Sequence, residues 1–152
     1  MATTLVSDII LPEVDRQISQ DQALWPPVKG FFILSVTKKR KPSTTWYILF
    51  QGNEIQPIIT KNEAKVRDAL NKKKVKVVKI RVEDHDVLNF ITGGLTAIKA
   101  YVNRRIKVKG DLALAQRLVT LFEKAGGHER ALDFIRQNEQ LLLRVNPDSA
   151  KL

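Results

Sequence analysis

The chain has 152 residues, of which 43% are hydrophobic, and this suits one globular domain and excludes wholesale disorder. It has no cysteine, which excludes disulfides, thiolate catalysis and cysteine-ligated zinc. With 26 Lys and Arg against 16 Asp and Glu, the formal net charge is +10, so we expect an anionic partner. Nucleic acid and acidic membrane lipid both stay open at this point.

The first half of the chain predicts a helix followed by an antiparallel meander. Apolar residues at close to helical spacing predict a helix over 5–22, although Pro12 inside it should break or kink it. Three β-rich segments with short connections follow, the third weakened by Pro57. These strands are Gly30–Val36, Thr44–Phe50 and Glu54–Thr60.

The second half alternates helices and strands. Residues 61–74 are polar and helix-permissive, and Val75–Val82 alternates basic and apolar residues as a fourth strand would. Asp84 should cap the next helix, and Asp111 a strongly amphipathic helix that runs through Lys124. The other predicted elements are helices at 85–92, 95–103 and 128–144 and a fifth strand at 104–109. The elements predict an α+β fold, a mostly antiparallel sheet with helices packed on one face.

No motif in the sequence indicates catalysis. Asp84, His85 and Asp86 are three possible metal ligands, but adjacent residues at a helix start point in different directions, so capping and surface polarity explain them better. The sequence has neither a Ser-His-Asp order with an activating turn nor a phosphate-binding Gly-rich loop. We therefore expect no enzymatic activity, no catalytic residue, no metal and no cofactor.

Basic residues cluster at 38–41, 72–79 and 104–109. Three roles fit these residues: contacts with the phosphates of nucleic acid, attraction to anionic lipid, or simply the solvation of strand edges. Binding of single strands normally adds exposed aromatic residues, whereas the strand aromatics here alternate with apolar residues and suit an inward face. Periodicity does not distinguish an ordinary core from a ligand cavity.

Residues 77–122 resemble the sterol carrier protein 2 family. Thr92-Gly93 matches a Thr-Gly pair of that family, and Ile106–Asp111 matches its Leu-Lys-Ile-x-Gly-Asn element. Gly30–Val36 and Thr45-Trp46 resemble its first two strands, so the resemblance covers roughly 28–122. As departures, Arg104 stands where the family often has Gly, and residues 61–74 look like an insertion.

The resemblance implies a five-stranded sheet covered by helices that enclose a hydrophobic tunnel. It implies non-enzymatic binding and intermembrane transfer of fatty acids, fatty acyl-CoA, sterols or phospholipids. The expected partners are a lipid ligand and, transiently, an anionic membrane surface, with no nucleic acid. The resemblance assigns candidate lipid-binding residues by the face of the strand or helix on which they lie. These residues are Phe32, Leu34, Trp46, Ile48, Phe50, Leu88, Ile91, Ile98, Val102, Leu112, Ala115, Leu118, Val119 and Phe122. A nucleic-acid-binding basic module and an accessory interaction domain with a filled cavity are the alternatives.

The expected organisation is one lipid-binding domain over residues 1–145, with an extra C-terminal helix, and a tail at 146–152. Ala150-Lys151-Leu152 is a conservative variant of the Ser-Lys-Leu peroxisomal address. Many members of the resembled family are peroxisomal, which supports this interpretation. We therefore expect a peroxisomal location through an import receptor, with the cytoplasm as the alternative.

Overall fold

The computed structural model describes residues 5–91, 95–126 and Arg136. The helices are α1 (Val6–Gln20), α2 (Glu63–Leu70), α3 (Asp84–Ile91), α4 (Ala97–Val102) and α5 (Leu112–Gly126). The strands are β1 (Lys29–Lys38), β2 (Lys41–Gln51), β3 (Ile58–Thr60), β4 (Val77–Glu83) and β5 (Ile106–Lys109). The predicted helix at 128–144, apart from Arg136, and the Thr92-Gly93 pair lie outside the described residues.

The strands form one five-stranded sheet in the order β3-β2-β1-β4-β5. The predicted meander is confirmed, since β1 pairs with β2 and β2 with β3, both antiparallel. At the centre of the sheet β1 and β4 run parallel, while β5 returns antiparallel to β4. The sheet is therefore mixed and mostly antiparallel, and both central strands start at the same end.

One face of the sheet carries the main hydrophobic core. Phe32 lies opposite Ile48 on β2 and Val78 on β4, and all three side chains are fully buried. Helices α1, α3, α4 and α5 contribute the other side of this core. The two-residue period of the strands thus selects the face that the helices cover.

The other face is covered in part by α2, the helix within the segment 61–74 that looked like an insertion. Its Val66 is fully buried and packs with Phe31 and Leu49 in a second, smaller cluster. Asn62 caps this helix, its side chain accepting a hydrogen bond from the Ala64 backbone N–H at 3.1 Å. The extra segment therefore buries apolar side chains that β1 and β2 direct away from the main core.

Two local predictions involving proline need correction. Helix α1 does not break at Pro12, which lies exposed inside a continuous helix from Val6 to Gln20. The fully buried Leu11, Val14 and Ile18 hold the helix on the core, and this packing outweighs the single backbone hydrogen bond that proline removes. The third strand is only Ile58–Thr60 rather than Glu54–Thr60, because Pro57 has no N–H for the ladder.

The prediction that Asp84 caps its own helix is wrong, and so is the surface location of Asp84 and Asp86. Asp84 begins α3, but its carboxylate accepts hydrogen bonds from the backbone N–H groups of Val6 at 2.6 Å and Ser7 at 2.9 Å. It therefore caps α1. Asp86 is also buried, and its carboxylate accepts hydrogen bonds from Arg105 and Asn89.

Candidate functional site

The apolar face predicted from the sequence assembles into one contiguous core. Alternate residues of β1 and β2 meet the late helix α5 across it, as the two periodicities require. The candidate residues in this core, all at most 7% exposed, are Phe32, Leu34, Trp46, Ile48, Phe50, Leu88, Ala115, Leu118, Val119 and Phe122. Leu112 is partly buried and packs against them. Their role in binding lipid stays a prediction.

Two candidate residues lie away from this core. Ile98 and Val102 are 53% and 69% exposed, because α4 turns its small residues Ala97 and Ala100 inward instead. The backbone N–H of Ala97 donates to the Gln116 side chain at 2.8 Å, which ties α4 to α5 in this orientation. Another candidate, Ile91, ends α3, and its side chain lies outside what the structure describes.

Trp46 brings a polar atom into the apolar core. Its indole Nε1 is buried, and none of the described residues accepts its hydrogen. The Nζ of Lys61 lies 5.1 Å from the ring centroid and pairs with Asp8 at 2.6 Å. A buried donor without an acceptor is costly, so an oxygen of a ligand within the core would relieve that cost.

A pocket of about 640 Å³ opens at the edge of the core, and we call it the mouth pocket. It lies where β1, β4 and α5 begin. Val28 and Leu114 line it and also belong to the core or pack against it, so the pocket borders the apolar interior. Its cationic lining residues are Lys29, Lys74, Lys76 and Arg117.

Asp111 is the acidic group in the lining of the mouth pocket. The hydrogen bond from the Leu114 N–H, helped by Lys76 at 3.3 Å, holds the pKa of Asp111 below its usual range. Its Oδ1 also accepts from the Ala113 N–H at 2.8 Å, so it caps α5 as predicted. In the described part of the chain no carboxylate pairs with Lys29, Lys74 or Arg117. The pocket mouth is therefore a place of positive potential.

The mouth pocket was not predicted from the sequence. Its residues come from the starts of three elements that are far apart in the chain, and they meet because β1 and β4 are parallel. Val28, just before β1, and Leu114, two residues after an apolar helix start, carry no local mark of a site. Only the parallel pairing would have pointed to them.

The described residues also limit the chemistry. They contain no cluster of acidic, histidine or cysteine side chains that could hold a metal ion. Over the same residues, no helix is long and apolar enough to cross a bilayer. What these residues offer is an apolar interior with a basic pocket at its edge.

The fold and site thus define an α+β domain with an apolar core that borders a basic pocket. The sequence model of the SCP-2 sterol transfer family matches residues 12–123, and the chain belongs to this family. The match begins within α1, upstream of the expected limit at residue 28. No curated protein sequence matches the chain.

Solved structures share the fold. The sterol carrier protein domain 2 of Helicoverpa armigera is 22% identical, with a TM-score of 0.54 over 81% of this chain and 90% of that one. Sterol carrier protein-2 like-3 of Aedes aegypti is 15% identical, with a TM-score of 0.53 over 80% and 97%. Sterol carrier protein-2 of Aedes aegypti, also 15% identical with a TM-score of 0.53, covers 78% and 96% and was solved in complex with palmitate.

Proposed function

We propose that this protein binds a long-chain lipid between its sheet and helices and carries it between membranes, without catalysing a reaction. Membership of the family and the palmitate complex of the Aedes aegypti structure support lipid binding. The observation that carries the proposal is the mouth pocket, whose lining includes Val28 and Leu114 at the edge of the apolar core. A lipid tail that enters there gains about 0.8 kcal/mol for each methylene it buries.

An acidic lipid suits this arrangement best. With its tail in the core, its carboxylate or phosphate would rest at the mouth pocket among Lys29, Lys74 and Arg117. Cations without a paired carboxylate stabilise an anion there through charge-assisted hydrogen bonds. Entry requires α5 to move away from the sheet, because Leu118 and Phe122 on α5 are each only 1% exposed and already packed.

Trp46 provides a direct reporter of lipid in the core. The chain has two tryptophans, so the variant Trp25→Phe leaves Trp46 as the single indole. We expect palmitate to change its emission and to displace a fluorescent fatty acid at micromolar concentration. A folded protein that binds no fatty acid at this concentration would overturn the proposed function. Displacement without any change in Trp46 emission would mean that the lipid does not reach the core.

The place of the head group can be tested separately. The double variant Lys29→Gln/Arg117→Gln should weaken the binding of palmitate about tenfold and leave the binding of methyl palmitate unchanged, since only the acid carries a charge. An equal loss for the acid and its ester would contradict a head group at the mouth pocket.

The packed core also favours one other candidate, an accessory domain whose cavity is filled. Phe32, Ile48 and Phe50 are fully buried by protein alone. The same titration separates the two functions, because a filled domain would leave Trp46 emission unchanged at every lipid concentration. Phe32, Trp46 and Phe50 face this core, and Phe31 is buried on the other face, which disfavours base stacking and hence the nucleic-acid module.

We also propose that the protein acts in peroxisomes. The support is the tripeptide Ala150-Lys151-Leu152, which lies outside the described residues. A fluorescent protein fused to the N-terminus should colocalise with a peroxisomal marker, and deletion of Leu152 should disperse it through the cytoplasm. Cytoplasmic fluorescence from the full-length fusion would refute this location.

A further inference from the structure

A second pocket lies at the opposite end of the sheet, and we call it the basic pocket. Its volume is about 310 Å³, and it forms where the β1–β2 turn meets the end of β4 and the start of β5. Five cations from these segments line it, Arg40, Arg81, Arg104, Arg105 and Lys107. They are brought together by the pairing of β4 with β5, which sets Arg81 opposite Lys107.

Most of this positive charge is not neutralised within the protein. Glu83 is the carboxylate in the lining, and its Oε1 is occupied by the Arg40 backbone N–H at 2.6 Å and the Thr37 hydroxyl at 2.9 Å. Asp86 pairs with Arg105. Within the described ranges no carboxylate forms an ion pair with the side chains of Arg40, Arg81, Arg104 or Lys107. An entering anion would relieve their mutual repulsion, and guanidinium groups fit phosphate oxygens in pairs.

The backbone is strained at two of these cations. Arg40 and Arg104 have φ values of +66° and +60°, in the left-handed region where glycine is favoured. Each of these positions carries a guanidinium into the basic pocket instead of the residue that its conformation prefers.

An apolar ridge lies beside the basic pocket. Ile98, Tyr101 and Val102 of α4 are 53%, 48% and 69% exposed, and their spacing puts them on one side of the helix. The turn after α4 is fixed by the Arg104 N–H, which donates to the Tyr101 carbonyl at 3.1 Å. The ridge therefore ends directly at the cations of the pocket. A patch of exposed apolar side chains next to unpaired cations is the pattern of proteins that bind the interface of an anionic bilayer.

We propose that the ridge and the basic pocket form the membrane-docking face of this protein. The ridge inserts among the acyl chains of an anionic bilayer, and the pocket receives the phosphate of one of its lipids. This face deepens the proposed transfer function, which requires contact with a membrane, and it is separate from the mouth pocket. The carrier takes up its cargo at one end of the sheet and meets the membrane at the other end and at α4.

The charge component is tested by vesicle sedimentation. Wild-type protein should bind phosphatidylcholine vesicles that contain phosphatidic acid more tightly than pure phosphatidylcholine vesicles. Arg104→Gln/Lys107→Gln should lower the partition coefficient about thirtyfold, since each basic residue near the surface contributes roughly fivefold. Lys72→Gln/Lys73→Gln removes the same charge from the exposed loop at the other end of β4 and should cost less than about threefold. Equal losses for both variants would mean that overall charge drives binding and would overturn this face.

The apolar component has its own matched control. Ile98→Ser should weaken vesicle binding about tenfold, whereas Ile55→Ser, at a side chain equally 53% exposed in the loop between β2 and β3, should have no effect. Equal effects would overturn the ridge. A DNA mobility shift that Arg104→Gln/Lys107→Gln abolishes, with unchanged vesicle binding, would also overturn the proposal in favour of nucleic acid.

The fatty-acid titration keeps docking and carriage distinct. The docking variants should bind monomeric fatty acid as the wild type does, because their substitutions lie outside the core and the mouth pocket. Vesicle binding that depends on Arg104 and Lys107 without any fatty-acid binding would support docking and refute the carrier. Fatty-acid binding with no preference for anionic vesicles would refute docking alone.

Discussion

Asp84→Asn offers a direct test of how α1 is attached to the rest of the domain. Both carboxylate oxygens of Asp84, which is 1% exposed, accept hydrogen bonds from the first N–H groups of α1. Leu5, the residue at the cap position, provides no side-chain acceptor. An asparagine keeps one acceptor oxygen but turns its own NH₂ toward the other N–H, leaving a buried donor unpaired.

The expected cost follows from the strength of the hydrogen bond that asparagine cannot form. A hydrogen bond to a charged group contributes about 1.5–3 kcal/mol, so Asp84→Asn should lower the free energy of unfolding by about 2–3 kcal/mol. For a domain of this size that corresponds to a fall in Tm of about 4–12 °C. Urea denaturation followed by circular dichroism measures the change directly.

The matched control is Asp21→Asn, which makes the same chemical change at the exposed N-cap of the short 3-10 helix Gln22–Leu24. Asp21 accepts one hydrogen bond from the Ala23 N–H at 3.0 Å, and Asn is as good as Asp in that role, so we expect almost no loss. If both variants cost the same, and less than about 1 kcal/mol, the assignment of Asp84 as the cap of α1 is wrong.

Three further perturbations test other parts of the fold. Gly110→Ala should lower the free energy of unfolding by about 2–4 kcal/mol in urea denaturation, because φ at Gly110 is +122° and a Cβ there would lie 2.7 Å from the Val77 carbonyl oxygen. Gly52→Ala is the control: φ is +88° but the space around it is open, so the loss should be about 1 kcal/mol. The pKa of Asp111 is lowered in the folded state. The stability that its charge contributes is therefore fully present above the unfolded pKa of about 3.9 and is lost as the pH falls through the lower folded pKa. Asp111→Asn should be less stable than the wild type at pH 7, and the difference between their urea midpoints should disappear in acid. Burial raises the pKa of Asp15 despite the nearby Lys65, so the charged carboxylate destabilises the fold at pH values above that raised pKa. Asp15→Asn should therefore raise the urea midpoint at pH 7 and leave it unchanged below the unfolded pKa. A variant that is less stable than the wild type at pH 7 would contradict this.

The inner face of the sheet could be predicted because strand side chains alternate with a fixed period. Phe32 and Leu34 share a face for that reason alone, and the structure confirms their burial. The burial of Phe31 and Leu49 on the other face was not anticipated. The run from Phe31 to Leu34 has no polar residue, which is typical of strands covered on both sides, but only the placement of α2 shows what covers them.

Other features depend on long-range packing that leaves no local pattern. The bond from Asp84 to Val6 spans 78 residues, so the sequence around Asp84 indicates a cap without indicating which helix it caps. On α4 the large apolar residues predict the wrong buried side, because Ala97 and Ala100 are the residues that face the core. Helix periodicity identifies a stripe, and tertiary packing decides which stripe is covered.

The exposed stripe of α4 connects this departure from the pattern with function. When a helix leaves its large apolar side chains exposed and no other part of the protein covers them, the exposed stripe is often a surface that a partner covers. The parallel pairing of β1 and β4 then divides the basic residues between two ends of the sheet, the starts of both strands at the mouth pocket and their ends at the basic pocket. Nine of the 26 Lys and Arg residues of the chain line the two pockets as two separate groups of cations, four at the mouth pocket and five at the basic pocket. One would hold the head group of a cargo lipid and the other would hold the protein on a membrane, so a single variant should remove one function and spare the other.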